Sequence, residues 1–183
     1  MTEEFHIRAA APQDAESIAY VQIKTWQHAY AHIFPQDQLA ALDDEELPLR
    51  IERWRSIVRD TAEGSSAMLV AETNPGKLIG FANGGKQLKP EFPHDAELFT
   101  IYILPEFQGK GIGRRLISAA AVELGKLGYS SLLVWVLAEN SPSRRFYEHL
   151  GGRFSGEGEY MRWGHAFPLA AYAWDSLETL IGE

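Results

Sequence analysis

Apolar residues recur with a helical period early in the chain. Ala15, Ala19, Ile23, Trp26 and Tyr30 fall three or four positions apart, which predicts an amphipathic helix opening near Asp14, just inside the turn made by Pro12. Ahead of it, Phe5 to Ala10 reads as a short strand. Pro35 breaks the pattern, and a second helical stretch is expected from about Gln36 to Glu46. After Pro48, the positions Ile51, Trp54, Ile57 and Val58 mark one face of a third, up to about Arg59. The acidic run Asp43, Asp44, Glu45, Glu46 precedes Arg50, Arg53, Arg55 and Arg59. That polarity complements helix dipoles and reads as structural rather than functional.

The period then changes. Met68 to Glu72 and Leu78 to Asn83 read as strands flanking Asn74-Pro75-Gly76-Lys77, whose Pro and Gly placement suits a type II turn, so an antiparallel hairpin is expected. Lys86 to Asp95, with Pro90 and Pro93, is loop. Leu98 to Leu104 is apolar on both faces, as a covered central strand should be. From Ile112, the residues Leu116, Ala119, Ala120, Leu124 and Leu127 trace a helix stopped by Gly128. Ser131 to Leu137 is again a near-continuous apolar strand; Ser141-Pro142 reads as a cap with proline at the first helical position, and Gly151 closes that short helix. Strand, helix, strand, helix over 98–150 demands a right-handed crossover and a parallel pair. The tail after Phe154, with Tyr160, Trp163, Tyr172 and Trp174, adds one or two strands. The expectation is an α/β fold, a mixed sheet with helices on both faces, in a single domain over 1–183.

Composition narrows the chemistry. Apolar residues at 45% and charged residues at 23% are ordinary for a globular chain, which sets disorder aside. The 183 residues include no Cys, excluding disulfides, a zinc-thiolate site and covalent thiol chemistry. Lys and Arg number 17 against 25 Asp and Glu, a formal charge of −8. Such a surface repels nucleic acid and anionic membrane and mildly attracts cationic small molecules, so neither of those two partners is expected. No apolar run approaches the roughly 20 residues of a bilayer span, and Met-Thr-Glu-Glu opens without a basic and apolar leader; a cytoplasmic protein is expected. His28 and His32, four apart on one helix face, have no third ligand in a recognisable pattern, so no metal is expected.

The most informative stretch is Pro105-Glu106-Phe107-Gln108-Gly109-Lys110-Gly111-Ile112-Gly113-Arg114, between a strand and a helix. Backbone N–H groups around three glycines, at a helix N-terminus and flanked by Lys110, Arg114 and Arg115, can close around a phosphate or pyrophosphate. It is not the nucleotide-triphosphate loop, because Gly109-Lys110 is followed by Gly111 rather than Ser or Thr. Nor is it the dinucleotide fingerprint, because Leu116 stands where the third glycine belongs.

What remains is Gln-x-x-Gly-x-Gly from Gln108 to Gly113. Twenty-seven residues after Gly113 comes Asn140, then Ser141-Pro142-Ser143-Arg144-Arg145-Phe146-Tyr147 and Leu150-Gly151. Together these two segments, within Glu97 to Gly151, resemble the core of the GNAT superfamily of acyl-CoA-dependent N-acyltransferases. Trp26-Gln27-x-x-Tyr30 through Phe34-Pro35 is similar to many bacterial single-domain members.

The resemblance implies a sheet of about six to seven strands, splayed between its fourth and fifth. The cofactor, acetyl-CoA, would lie in the cleft between Ile101–Leu104 and Trp135–Leu137. Main-chain groups near Ile101, Tyr102 and Ile103 would meet the pantetheine arm. The turn Gln108, Gly109, Lys110, Gly111, Ile112, Gly113 and Arg114 would hold the pyrophosphate. Asn140 would bond the pantetheine, or else simply cap a helix. Tyr147 would protonate the departing thiolate, or else pack as a core aromatic, although Phe146 beside it reads as the core member. Glu97, eleven residues before Gln108, matches the general base of some members, or is a carboxylate at a strand end; other members place an acid where Trp135 stands here. Trp26, Gln27, Tyr30, Tyr102, Trp135 and Tyr160 are candidate walls for an acceptor, although aromatics usually serve the core. The expected reaction is direct acetyl transfer in a ternary complex to a small-molecule primary amine, with polyamine-like or aminoglycoside-like acceptors mildly favoured by the net charge. A silent acyl-CoA-binding module and a protein N-terminal or lysine acetyltransferase are the alternatives. Exposed terminal strands make a homodimer reasonable.

Overall fold

The computed structural model describes residues 4–43, 46–61, 64–73, 76–89 and 91–181. The first two residues of the expected type II turn, Asn74 and Pro75, lie outside them, as do Asp44, Glu45 and Pro90. The elements run β1 (Phe5–Ala9), α1 (Ala15–Ala29), α2 (Gln36–Ala40), α3 (Leu47–Thr61), β2 (Ser66–Thr73), β3 (Lys77–Lys86), β4 (Ala96–Ile103), α4 (Ile112–Lys126), β5 (Leu132–Leu137), α5 (Ser141–His149), β6 (Arg153–Arg162) and β7 (His165–Trp174). The strands form one seven-stranded sheet in the order β1-β2-β3-β4-β5-β7-β6, antiparallel except for the β4–β5 pair. This is the mixed sheet expected from the crossover pattern, with the tail supplying two strands. Among the described residues, no helix is long and apolar enough to cross a membrane.

Adjacent residues of β3 show how the layers divide. Leu116 of α4 lies over Gly80, whereas the next residue, Phe81, packs edge-on against Trp54 of α3 at 5.0 Å. Neighbouring strand residues face opposite ways, so α4 covers one face and α3, with α1 beside it, the other. The apolar stripe of α4 (Leu116, Ile117, Ala120, Ala121, Leu124) is fully buried there, as its helical spacing requires. A second cluster on the opposite side gathers Ile23, Trp26, Phe34, Leu39, Leu42, Leu137 and Phe167.

Three local readings change. The second helix ends at Ala40, well short of Glu46. Helix α1 ends at Ala29, so His28 and His32 do not share a helix face. The cap of α5 is Asn140, whose side chain accepts from the Ser143 amide; Ser141 and Pro142 are the first helical residues. Asn is as good a cap as Ser, and Ser143 stands three residues on, where a capping oxygen meets the helix amides.

The feature that positions the site is a break in pairing. Between β3 and β4 the register passes from Gly84↔Leu98 to Asn83↔Thr100, so Phe99 is an extra residue, a bulge. The parallel partners of β4 and β5 stop at the same place: Ala96↔Leu132, Glu97↔Leu133, Leu98↔Val134 and no further. Beyond them β5 continues beside β7 to Leu137, while β4 continues beside β3 to Ile103. The two central strands therefore splay apart, as the resemblance implied.

Their joined end is held by Asp95. Its carboxylate accepts from the amides and hydroxyls of Ser130 and Ser131 at 2.8–2.9 Å. Despite partial burial, those four donors pull its pKa down to about 2. A folded value below the ordinary 3.8 means the contribution is complete above about pH 4 and is lost as pH falls toward 2. Asp95→Asn is expected to lose about 1–2 kcal/mol at pH 7, discounted for partial exposure, read by urea unfolding. Its stability should also fall less steeply than wild type between pH 4 and 2; equal slopes would remove Asp95 from this role.

Candidate functional site

A cleft of about 1180 Å³ opens where β4 and β5 part, lined on the strands by Thr100–Ile103 and Val134–Leu137. That is enough room for a cofactor arm and a second small molecule. Its two ends differ in chemistry.

At one end lies the glycine turn. Gly109 and Gly111 have φ of +73° and +80°, the left-handed region that suits glycine. Gly111 is the N-cap of α4 and brings no side chain to cap it, which leaves the first amides of the helix directed at the cleft. Gly113 is a glycine for another reason: a Cβ there would sit 3.1 Å from the Phe146 ring and 3.2 Å from Ile103 Cδ1. The turn is tied back to β4 by Gln108, which donates to the Ile103 carbonyl at 2.9 Å; Thr25 donates to the same oxygen at 3.2 Å. Gln108, Gly109, Gly111, Gly113 and Arg114 line the cleft, with Asn140, Pro142, Ser143 and Phe146 opposite. Lys110 and Ile112 do not: Lys110 lies over the Phe107 ring at 4.9 Å, and Ile112 is buried in the core. Because Asn140 Oδ1 is committed to the helix cap, Nδ2 is the group left for a ligand.

Tyr147 lies on the cleft wall, buried against Tyr172 and Trp174, while Phe146 beside it is only partly buried. The order of burial is thus the reverse of the expectation that Phe146 is the core member: α5 turns its Tyr147 face to the sheet and its Phe146 edge to Gly113. Burial raises the Tyr147 and Tyr30 phenols well above their ordinary range, with Tyr102 nearby adding to both; burial raises Tyr102 too, while Tyr30 acts to lower it. All three are neutral donors at physiological pH.

The other end is aromatic. Trp26, Tyr30, Tyr102, Trp135 and Tyr160 line it, with Phe34 packed between Trp26 and Tyr160. Trp135 lies beneath Lys89 Nζ at 4.0 Å and meets Phe92 edge-on. His28 and His32 are exposed on its rim. Gln27 is not part of it: its side chain donates to the Leu39 carbonyl and to Asp43, fastening α1 to α2. Glu97 is not on the wall either. It is nearly buried one residue before the end of the β4–β5 pairing, and Oε2 accepts from the Leu88 amide at 3.4 Å. Burial raises its pKa, opposed by that amide and by Lys89.

The charged residues of the aromatic end are what sequence reasoning missed. Arg50 and Arg53, read as dipole partners, line the cleft, and so do Arg162 and Glu46. The i, i+3 spacing of Arg50 and Arg53 on one helix face was the available signal.

A description of the "Acetyltransferase (GNAT) family" fits residues 23–152. The N-acetyltransferase YuaI of Bacillus subtilis, itself uncharacterised, is 30% identical over 174 residues, 95% of each chain. The chain therefore belongs to the GNAT family, and it is an acyltransferase. Among solved structures, the PaiA N-acetyltransferase of Thermoplasma acidophilum with coenzyme A has the same fold (TM-score 0.73, 23% identity, 91% of this chain and 98% of that one). So does YncA of Salmonella typhimurium with acetyl-CoA (TM-score 0.66, 20% identity, 95% and 94%).

Gly113→Ala is expected to cost about 1–3 kcal/mol by overpacking, a Tm loss of roughly 2–12 °C. Pairing it with Phe146→Leu should recover about 0.5 kcal/mol or more relative to the sum of the single variants. Strict additivity in calorimetric melts would show that Phe146 is not what excludes the methyl group.

Proposed function

We propose that this chain, as one domain over 1–183, transfers an acetyl group from acetyl-CoA to the nitrogen of a primary amine, both substrates bound together. The observation that carries the reading is the coincidence of the parted strands with an uncapped glycine turn at their end. Parted strands offer unpaired main-chain donors and acceptors to an amide-containing arm, and the turn offers amides to a diphosphate. Relatives of this fold solved with coenzyme A and acetyl-CoA support it.

In this reading the main chain of Ile101 and the amide of Ile103, which face away from β3, pair with the pantetheine arm, and the thioester carbonyl is polarised there. Tyr102 between them has its main chain turned to Phe81. The amides of Gly109 through Arg114 hold the diphosphate; Gln108 keeps the turn against β4. Asn140 donates through Nδ2 to a pantetheine carbonyl. The amine arrives from the aromatic end, past Trp26, Tyr30, Trp135 and Tyr160. Its nitrogen must first lose the ammonium proton, and Glu97, being off the wall, takes it through water. Attack forms the C–N bond and leaves the nitrogen one proton too many. Collapse breaks the C–S bond, the sulfur receives the Tyr147 hydroxyl proton, and the nitrogen's surplus proton passes through water to restore the Tyr147 phenol. Burial keeps that phenol fully protonated across the working range. With no Cys in the 183 residues, a thiol acyl-enzyme has no nucleophile here.

Release of free thiol from acetyl-CoA across a panel of amines tests the proposal; no release with any amine would reject it. Tyr147→Phe should lower kcat about 100-fold and leave the KM for acetyl-CoA within about 3-fold, and an unchanged kcat would strip Tyr147 of its role. As pH falls through the raised Glu97 value, the base is lost and the rate should drop. Glu97→Gln should abolish that limb of the pH–rate profile; a superimposable profile would discard Glu97.

A further inference from the structure

Two guanidiniums and one carboxylate form the wall beyond Trp26. Arg50 of α3 and Arg162 of β6 both donate to Glu46 Oε2, at 2.7 and 3.2 Å. Each guanidinium carbon stands 5.2 Å from the Trp26 ring. Arg50 also donates to Gln22 Oε1 at 3.1 Å, and Arg162 approaches the Tyr160 hydroxyl at 3.5 Å. Their side chains are only 11% and 22% exposed. Among the described residues, the Nε–H of each is buried with no acceptor.

Burying a cation is costly unless its donors are matched, and two guanidiniums sharing one carboxylate leave a positive charge and two fork donors over. Arg53 and, by the glycine turn, Arg114 add two more cations to the same lining, and among the described lining residues Glu46 is the one carboxylate. The wall is cationic on a chain whose net charge is −8. A polyamine or aminoglycoside would bring its ammonium groups against these arginines. The local charge therefore opposes what the net charge suggested.

We infer that the acceptor carries a carboxylate as well as its amine: an amino acid or similar small molecule, its carboxylate on Arg50 and Arg162 and its apolar body among Trp26, Tyr30 and Tyr160. This rests on the acetyl-transfer reading and specifies its acceptor. Guanidinium forks match a carboxylate in two hydrogen bonds, which fixes the orientation of the rest of the molecule. The arginines bind and position; they take no part in bond making.

The test measures thiol release from acetyl-CoA with L-phenylalanine and L-methionine, each against its carboxamide, and with spermidine. The carboxamide keeps the amine and side chain and loses only the charge. Its amine is less basic, so chemistry alone favours it. The expected result is a kcat/KM for the acids about 10- to 150-fold above the carboxamides and above spermidine. In Arg162→Gln that acid-to-carboxamide ratio should fall at least about 10-fold, mainly through the KM for the acid, with coenzyme A binding by calorimetry confirming a folded protein. Carboxamides or spermidine turning over as well as the acids, or a ratio unmoved in the variant, would overturn the inference and leave acetyl transfer standing. The wild-type comparison needs no variant, so a misfolded Arg162→Gln does not shield it. Absence of thiol release with every amine would instead remove the reading on which the inference rests.

Discussion

The β4–β5 pair lasts three residues, and the rest of the molecule is arranged around that brevity. A central strand pair that separates inside a sheet leaves main-chain donors and acceptors facing a gap, which is costly unless something fills it. The bulge at Phe99 starts the separation and Asp95 fixes its origin, so the gap has a definite width and direction instead of fraying. Side-chain donors from Thr25 and Gln108 satisfy the Ile103 carbonyl at the far end, and the Leu104 amide returns to Ile79. Between those limits the strand edges are available to a ligand with peptide-like groups.

The gap joins two chemically unlike regions. On the α4 and α5 side the wall is made of uncapped amides and small residues, suited to a group that is anionic and must be approached closely. On the α1, α3 and β6 side it is made of aromatic rings, raised-pKa phenols and paired arginines. A two-substrate reaction needs such a division, because each partner must be oriented by its own contacts before nitrogen and thioester meet. Tyr147, buried, and Tyr102, partly buried, line the cleft between them, both neutral.

Much of this was legible in the chain. The helical periods of α1 and α4, the apolar runs of β4 and β5, and the glycine turn each depend on local spacing, so they read directly. The three glycines looked alike in sequence, yet two answer to backbone conformation and one to the Phe146 ring, a tertiary contact. Gln27 sits one residue past Trp26, and that single step of helical rotation takes it from the cleft to Asp43. The cationic wall was invisible for a plainer reason. Glu46 and Arg162 are 116 positions apart, and only the β6–β7 hairpin folding toward α3 brings them together. Net charge, summed over the whole surface, carried no trace of it.

Amide-resolved NMR on the isotopically labelled chain, titrated with coenzyme A, tests the central claim most directly. The account expects the largest shifts at Gly109 through Arg114 and along Ile101 to Ile103, the two stretches that the parting of β4 and β5 places end to end. Shifts confined to other elements, or none at millimolar coenzyme, would contradict it.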